Sequence, residues 1–264
     1  MKYIRQVNQM DEQDDLAVRP AASRDELRSA YARVYWSYRR RAYVEADATE
    51  MELSIFNALP CTVTFVSAMR GRVTASITLI PDSALGLPMD ETWNEELQEL
   101  RGRGRHLAEA TMFADRRHRD FRRVVPMLLL LMKRLFDYAC MVEQADDLCI
   151  SVTPRHRGFY EKFLSFTPLQ EAVGGGRNER TIPLRLALDG VESKCKERED
   201  LRKLFLENRT PRSVLEDRYC MNCEDLQYFF VDSTDVFDRA APESLRKLRS
   251  HYPDCPWDRW MDSA

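Results

Sequence analysis

Three sets of residues in this 264-residue chain have types and spacings that could do chemistry. The first is Glu109, the single acidic side chain within residues 106–114, a run that is otherwise mostly small or apolar. A carboxylate on a covered strand loses hydration, which raises its pKa toward neutrality and suits it to general-base work. A structural glutamate paired with an arginine fits the same placement. The second set is the dense basic segment Arg116-Arg117-His118-Arg119-Asp120-Phe121-Arg122-Arg123. Its forked guanidinium groups suit a phosphate or an acidic protein surface. A solvated face, or loose contact with nucleic acid, is the plainer reading of such a run. The third is Cys220-Met221-Asn222-Cys223, a CxxC pair that would need two further ligands to hold zinc, with only His251 and Cys255 in reach downstream. No metal site is expected, and the seven cysteines read as reduced, structural residues. His156, alone in a turn, could cap a helix or touch a substrate.

The elements that must position these groups follow from periodicity. Residues 15–20 read as a strand, and Ser23 with Glu26 three residues on forms a capping-box signature. Leu27, Ala30, Tyr31, Val34, Tyr35, Tyr38 and Ala42 continue it at helical spacing. A shorter helix is expected over 49–59, stopped by Pro60. Residues 61–69 and 72–80 are strand runs flanking the Arg70-Gly71 turn, and so predict an antiparallel hairpin. An acidic stretch at 89–100, a basic turn at 101–105 and a strand over 106–114 come next. A long apolar helix is predicted from Pro126 to residue 142, because proline at the first helical position has no hydrogen bond to lose. A buried strand at 147–153, a short helix at 155–165 and strands near 167–173 and 183–188 complete this part, with Gly174-Gly175-Gly176 between the last two. From Gly190 the composition turns to Lys and Glu, then to short helical stretches around Pro211 and Pro242. Residues 1–189 are therefore expected to form one domain, and 190–264 a helical extension packed on it.

Whole-chain properties narrow the class. An apolar fraction of 44% supports a real core, and a net charge of −3 is too small to suggest nucleic-acid binding by the whole molecule. The most apolar run, 124–132, falls well short of the roughly 20 residues a membrane span needs. With residues 1–15 polar and acidic, no targeting segment or transmembrane segment is expected, and a cytoplasmic location is.

Strand, basic loop, long helix, strand and short helix in that order make a βαβα unit with a parallel strand pair. Within it, Val152-Thr153-Pro154-Arg155-His156-Arg157-Gly158-Phe159-Tyr160, followed by Phe163-Leu164-Ser165-Phe166, resembles the last strand-to-helix region of GNAT acyltransferases. Ala108-Glu109-Ala110-Thr111-Met112-Phe113-Ala114 resembles the glutamate-bearing strand of acyl-homoserine-lactone synthases and long-chain N-acyl amino acid synthases. The stretch Ile80-Pro81-Asp82-Ser83-Ala84-Leu85-Gly86-Leu87-Pro88-Met89-Asp90-Glu91 is similar to the connecting loop of the N-acyl amino acid synthases, and the early Val34-Tyr35 helix fits. The resemblance covers residues 15–190. It implies an α/β (α+β three-layer) fold of GNAT type, with a mixed, mostly antiparallel central sheet flanked by helices and the helical extension outside the minimal fold.

Two departures refine what the resemblance implies. Acyl-homoserine-lactone synthases place an arginine where Met112 stands, which argues against an S-adenosylmethionine acceptor. Acetyl-CoA-dependent relatives carry a glycine-rich pyrophosphate loop where this chain has Arg116, Arg117, Arg119 and Arg122. Arginines give up close backbone approach to a diphosphate but suit a single phosphopantetheine phosphate on an acidic carrier. The implied enzyme moves a fatty acyl group from acyl-carrier protein, or from acyl-CoA, to the amino group of an amino acid, with no tightly bound cofactor. Glu109 would be the base and Tyr160 the acid that protonates the leaving thiolate, although an amphipathic core tyrosine also fits that position. Thr111, Met112, Phe113 and Ala114 would line the pantetheine arm, and His156 and Tyr35 would face the acceptor. An acetyl-CoA-dependent N-acetyltransferase of a small amine and a non-catalytic GNAT-like interaction module are the alternatives.

Overall fold

The computed structural model of the chain describes residues 2–11, 15–41, 44–45, 48–115, 121–169, 181–207 and 209–261. Its centre is built from the predicted strand runs. Strands β2 (Val63–Met69) and β3 (Arg72–Pro81) form the expected hairpin. Arg70 and Gly71 between them take φ of 50° and 72°, the left-handed pair that a tight two-residue hairpin turn requires. β1 (Leu16–Pro20) adds antiparallel to β2, and β4 (Leu107–Asp115) antiparallel to β3. β5 (Asp147–Val152) lies parallel to β4, because the long helix α4 (Phe121–Met141) carries the chain back across the sheet. The short β6 (Thr167–Pro168) and β7 (Ile182–Ala187) close a seven-stranded sheet of order β1-β2-β3-β4-β5-β7-β6 among the described residues. This is the three-layer GNAT arrangement with a mostly antiparallel sheet that the motifs implied.

Helices cover both faces. α4 packs with α1 (Lys2–Asp11) over Val18, Phe65, Ile77 and Leu79. On the other face lie α2 (Arg24–Arg39) and α3 (Asp90–Gly102). The Ser23 side chain accepts the Glu26 N–H (3.3 Å), as the cap signature requires. The Glu26 carboxylate, however, turns to the Ala22 N–H (2.8 Å) and to Arg19.

Several elements differ from the sequence reading. Residues 51–54 are not helical, and only a 3₁₀ turn, Ile55–Ala58, follows, because Ser54 and Asn57 bond each other locally instead of feeding a longer helix. α4 starts at Phe121, so Pro126 sits inside the helix and not at its first position. The acidic N-terminus contains α1, whose Val7 is buried against α4. The expected 167–173 strand is described only for Thr167–Pro168, and the glycine triplet lies outside the described residues.

The extension wraps the β1 edge. α6 (Val191–Glu197), α7 (Glu199–Phe205) and α8 (Arg212–Glu216) bury Val191, Leu201, Leu204, Phe205 and Leu215 in the α4-side cluster. The chain then passes β1, where the Tyr219 N–H donates to the Ala21 carbonyl (2.8 Å). α9 (Cys223–Leu226), a π-helical segment Gln227–Asp232, α10 (Val236–Arg239), α11 (Pro242–Arg249) and α12 (Trp257–Met261) pack Leu226, Phe229, Phe230, Phe237, Leu248 and Trp257 in the α2-side cluster.

Two polar anchors hold the wrap. On the α4 side, buried Asp137 accepts from Lys133 Nζ (3.1 Å), from the Thr210 N–H (3.0 Å) and from the Thr210 hydroxyl (2.8 Å). On the α2 side, buried Asp225 accepts from Arg24, the Tyr219 hydroxyl (2.8 Å) and the Asn222 N–H (3.0 Å). Cys223 pairs with Cys255 in a disulfide, whereas Cys220 is exposed and free. The expectation of reduced cysteines is thus wrong for this pair. The bond joins two ends of a folded-back segment, a proximity that sequence spacing does not reveal. Because the bridge closes a loop of 32 residues, Cys255→Ser should lower unfolding free energy by about 2–4 kcal/mol, read by urea titration under non-reducing conditions. No described helix is long and apolar enough to cross a membrane.

Candidate active site

β4 and β5 pair in register at Leu107↔Asp147, Ala108↔Leu148 and Glu109↔Cys149, and no further. β4 then continues along β3 to Asp115, while β5 continues along β7 to Val152. The two parallel strands therefore part immediately after Glu109. The β3–β4 register also slips between Ser76 and Thr78, and Met112 in the extra residue's stretch takes φ of 56°. A bulge of this kind adds a residue to β4 and bends the strand. Beyond Glu109 the β5-side edge of β4 has no strand partner among the described residues. An extended chain carrying amides of its own could pair there as a strand would.

Glu109 lies at the fork. It is 3% exposed, and its Oε2 accepts the Met89 N–H at 2.8 Å. Burial pushes its carboxyl up to about 8; the Met89 N–H opposes this and the Asp90 charge adds to it. A carboxyl that gives up its proton near neutral pH can serve as a base without strong acid conditions.

The loop that supplies the Met89 amide is clamped by Arg101. This guanidinium donates to Asp82 (2.6 and 2.9 Å) and to Asp90 (2.7 and 2.7 Å), tying the end of β3 to the start of α3. Asp90 also accepts the Leu87 N–H at 2.7 Å. Burial alone would raise the Asp90 carboxyl, but the Arg101 and Leu87 hydrogen bonds hold it below the usual carboxylate range. Gly86 has φ of 75°, and a Cβ there would stand 2.6 Å from Asp90 Oδ2, so the turn requires glycine. The 80–91 motif is thus a folded support for Glu109. Arg101, read from sequence as part of a basic turn, is the residue that locks it. The carboxylates at 82 and 90 were a visible signal, but their shared partner was not.

Tyr160 sits in α5 (Pro154–Leu164), half-buried beside the α4-side cluster. Its ring meets Phe159 at 5.3 Å and Phe166 at 5.7 Å, and burial pushes its phenol up to about 12. Glu109 and Tyr160 are not hydrogen-bonded to each other. Glu109 lies beside Ile80 and Cys149 of the α3-side cluster, and Tyr160 packs on the α4 side. Thr111 is half-buried, Met112 and Ala114 join the α2-side cluster, and Phe113 packs toward α4. His156 lies in the first turn of α5, whose N-cap is Thr153: its backbone N–H donates to the Thr153 carbonyl (2.9 Å), and its Nδ1 lies 3.1 Å from the Thr153 hydroxyl. Desolvation, followed by Arg155 and Arg41, lowers its pKa. Arg116, Arg117 and Arg119 lie outside the described residues, and Arg122 lies in the first turn of α4 with its side chain likewise outside.

Tyr35 is buried and lines a cavity of about 690 Å³ on the α2 side. Val44, Glu45, residues 51–55, Glu91 and the extension form the rest of its described wall. The volume is that of a small-molecule site (about 300–1,000 Å³). Neither Glu109 nor Tyr160 is in its lining.

A three-layer fold with a mostly antiparallel sheet and one parallel strand pair that parts after its third register position is the GNAT-type fold. The family model of the N-acyl amino acid synthase FeeM matches residues 29–181, more than half of the chain, and the chain belongs to that family of N-acyltransferases. The solved structure of FeeM, an N-acyl amino acid synthase from uncultured soil microbes, is 25% identical, with TM-score 0.55 over 72% of this chain and 95% of that one. Two acyl-homoserine-lactone synthases share the fold. LasI is 17% identical with TM-score 0.51, covering 74% of this chain and 98% of its own. The CoA-dependent BjaI is 14% identical with TM-score 0.53, covering 81% and 97%. No curated protein matches the chain by sequence.

Proposed function

We propose that this N-acyltransferase moves a long-chain acyl group from the phosphopantetheine thioester of acyl-carrier protein to the α-amino group of an amino acid. The observation that carries the reading is the parting of β4 and β5 right after buried Glu109, inside the stretch matched by the family model. The thioester arm would lie along β4 at Thr111, Met112, Phe113 and Ala114, its amides pairing with the strand beyond the fork. Arg116, Arg117, Arg119 and Arg122 would meet the carrier's phosphate and acidic surface, since no glycine loop is present there for a diphosphate. Met112 in place of an arginine supports an acceptor other than S-adenosylmethionine. Residues 1–189 would be the catalytic unit and 190–264 its supporting extension.

In this mechanism the amine nitrogen attacks the thioester carbonyl directly. A C–N bond forms, the C–S bond breaks, and no enzyme-bound acyl intermediate arises. Glu109, with its carboxyl near 8, takes the amine's proton through a water. Tyr160, a phenol that carries its proton at neutral pH, returns a proton to the departing thiolate. His156 would orient the acceptor from the start of α5.

Mass spectrometry of lipid extracts from cells expressing the chain tests this reading. N-acyl amino acids with long chains are expected. N-acetylated small amines as the sole new product would instead support an acetyl-CoA-dependent enzyme.

A further inference from the structure

The 690 Å³ cavity has a wall that the family fold does not supply. Thr234, Val236, Arg239 and Ala240 line it, and all lie beyond residue 181, where the family match ends. Tyr35, Leu53 and Glu91 face them from the catalytic unit.

Two short paths tie this cavity to the fork. Ser54, in the cavity wall, donates its N–H to Asn57 Oδ1 (2.8 Å), and Asn57 Nδ2 reaches the Met112 sulfur at 3.5 Å, at the β4 bulge. On the α3 side, Glu91 in the wall lies two residues from Met89, whose N–H binds Glu109. The cavity wall is thereby linked, through Asn57 and through residues 89–91, to the proposed thioester track and to the support of the proposed base.

The extension's wall is rigid. The Thr234 hydroxyl donates to the Phe229 carbonyl at 2.6 Å. Phe237 stacks on Phe230 (5.1 Å) and on Trp257 (5.4 Å), and the Cys223–Cys255 bridge brackets the whole segment. Arg239 is the one cation among the lining residues; its guanidinium is largely exposed and bonds Asp235 at 2.6 Å. Glu45, Glu52 and Glu91 supply carboxylates from the other side of the wall. One cation and three carboxylates, with Val44, Met51, Leu53, Ile55 and Val236 between them, suit a zwitterion with an apolar side chain.

We infer that the C-terminal extension completes the acceptor site: Arg239 receives the α-carboxylate of an apolar amino acid, and Val236 limits its side chain. This rests on the proposed amino-acid acylation. A guanidinium–carboxylate pair gives charge-assisted hydrogen bonds that an uncharged replacement cannot make.

The test is steady-state kinetics of the full chain with a long-chain acyl-carrier protein, using an apolar amino acid and the matching amine that lacks the carboxylate. Arg239→Ala should raise KM for the amino acid about 10- to 100-fold. KM for the acyl donor and turnover of the amine should stay unchanged, and Arg239→Lys should recover part of the loss. Val236→Trp should shift preference toward smaller amino acids. Arg239 is exposed, so its removal leaves the packed wall intact. An unchanged amino-acid KM in an active Arg239→Ala protein, or equal losses with amino acid and amine, overturns the inference while the acylation reading stands. A wild-type chain that acylates neither acceptor overturns both.

Discussion

Glu109→Gln is expected to lower the single-turnover rate of acyl transfer by about 10²–10⁴-fold with little change in donor affinity. Glutamine keeps an oxygen for the Met89 N–H and nearly the same shape, but it cannot take a proton. The wild-type rate should rise with pH through about 8, as the buried carboxyl ionises, and that rise should vanish in the variant. Stability should move in the opposite sense. The folded carboxyl holds its proton up to about 8, whereas the unfolded one releases it near about 4.3. The folded state therefore binds more protons between these values, and wild-type stability falls as pH rises. Relative to Glu109→Gln, the wild type should lose about 1.4 kcal/mol per pH unit between about pH 5 and 8. A variant that acylates at the wild-type rate removes Glu109 from the mechanism. A difference in stability that does not vary with pH removes its perturbed ionisation.

Asp137→Ala should cost about 3–5 kcal/mol of folding stability. The change removes the buried carboxylate that Lys133, which is 3% exposed, and the Thr210 N–H and hydroxyl all donate to. The extension loses its anchor on α4 at the same time. Because an apolar pair of similar volume buries no charge, Lys133→Met combined with Asp137→Leu should recover part of the loss. Denaturant midpoints of the three proteins decide the matter. A loss below about 1 kcal/mol for Asp137→Ala would show that the network does not hold the extension.

The central sheet and its parallel β4–β5 pair were legible because strand runs, turn residues and a long apolar helix each carry a local signal. Glu109 was legible for the same reason: a lone carboxylate in an apolar run stands out. Its supports were not. Arg101 meets Asp82 and Asp90 only after the loop folds, and Asn57 meets Met112 across 55 residues of chain. The short helix expected at 49–59 failed because Ser54 and Asn57 satisfy each other locally, a competition that apolar spacing does not register. The disulfide and the shared cavity wall depend on where the extension folds back, which composition marks as packed but does not place. α1 carries Tyr3, Val7 and Met10 at helical spacing on the core, but the polar and acidic residues around them dominated the sequence reading.

The measurement that bears most directly on the account is the reaction of the purified chain with a long-chain acyl-carrier protein and a mixture of amino acids. Product mass and release of the free carrier thiol would be followed together. The account predicts an N-acyl amino acid formed in step with thiol release, faster from the carrier than from the matching acyl-CoA. Thiol release with acetyl-CoA alone, or no amide product from any long-chain donor, would contradict it.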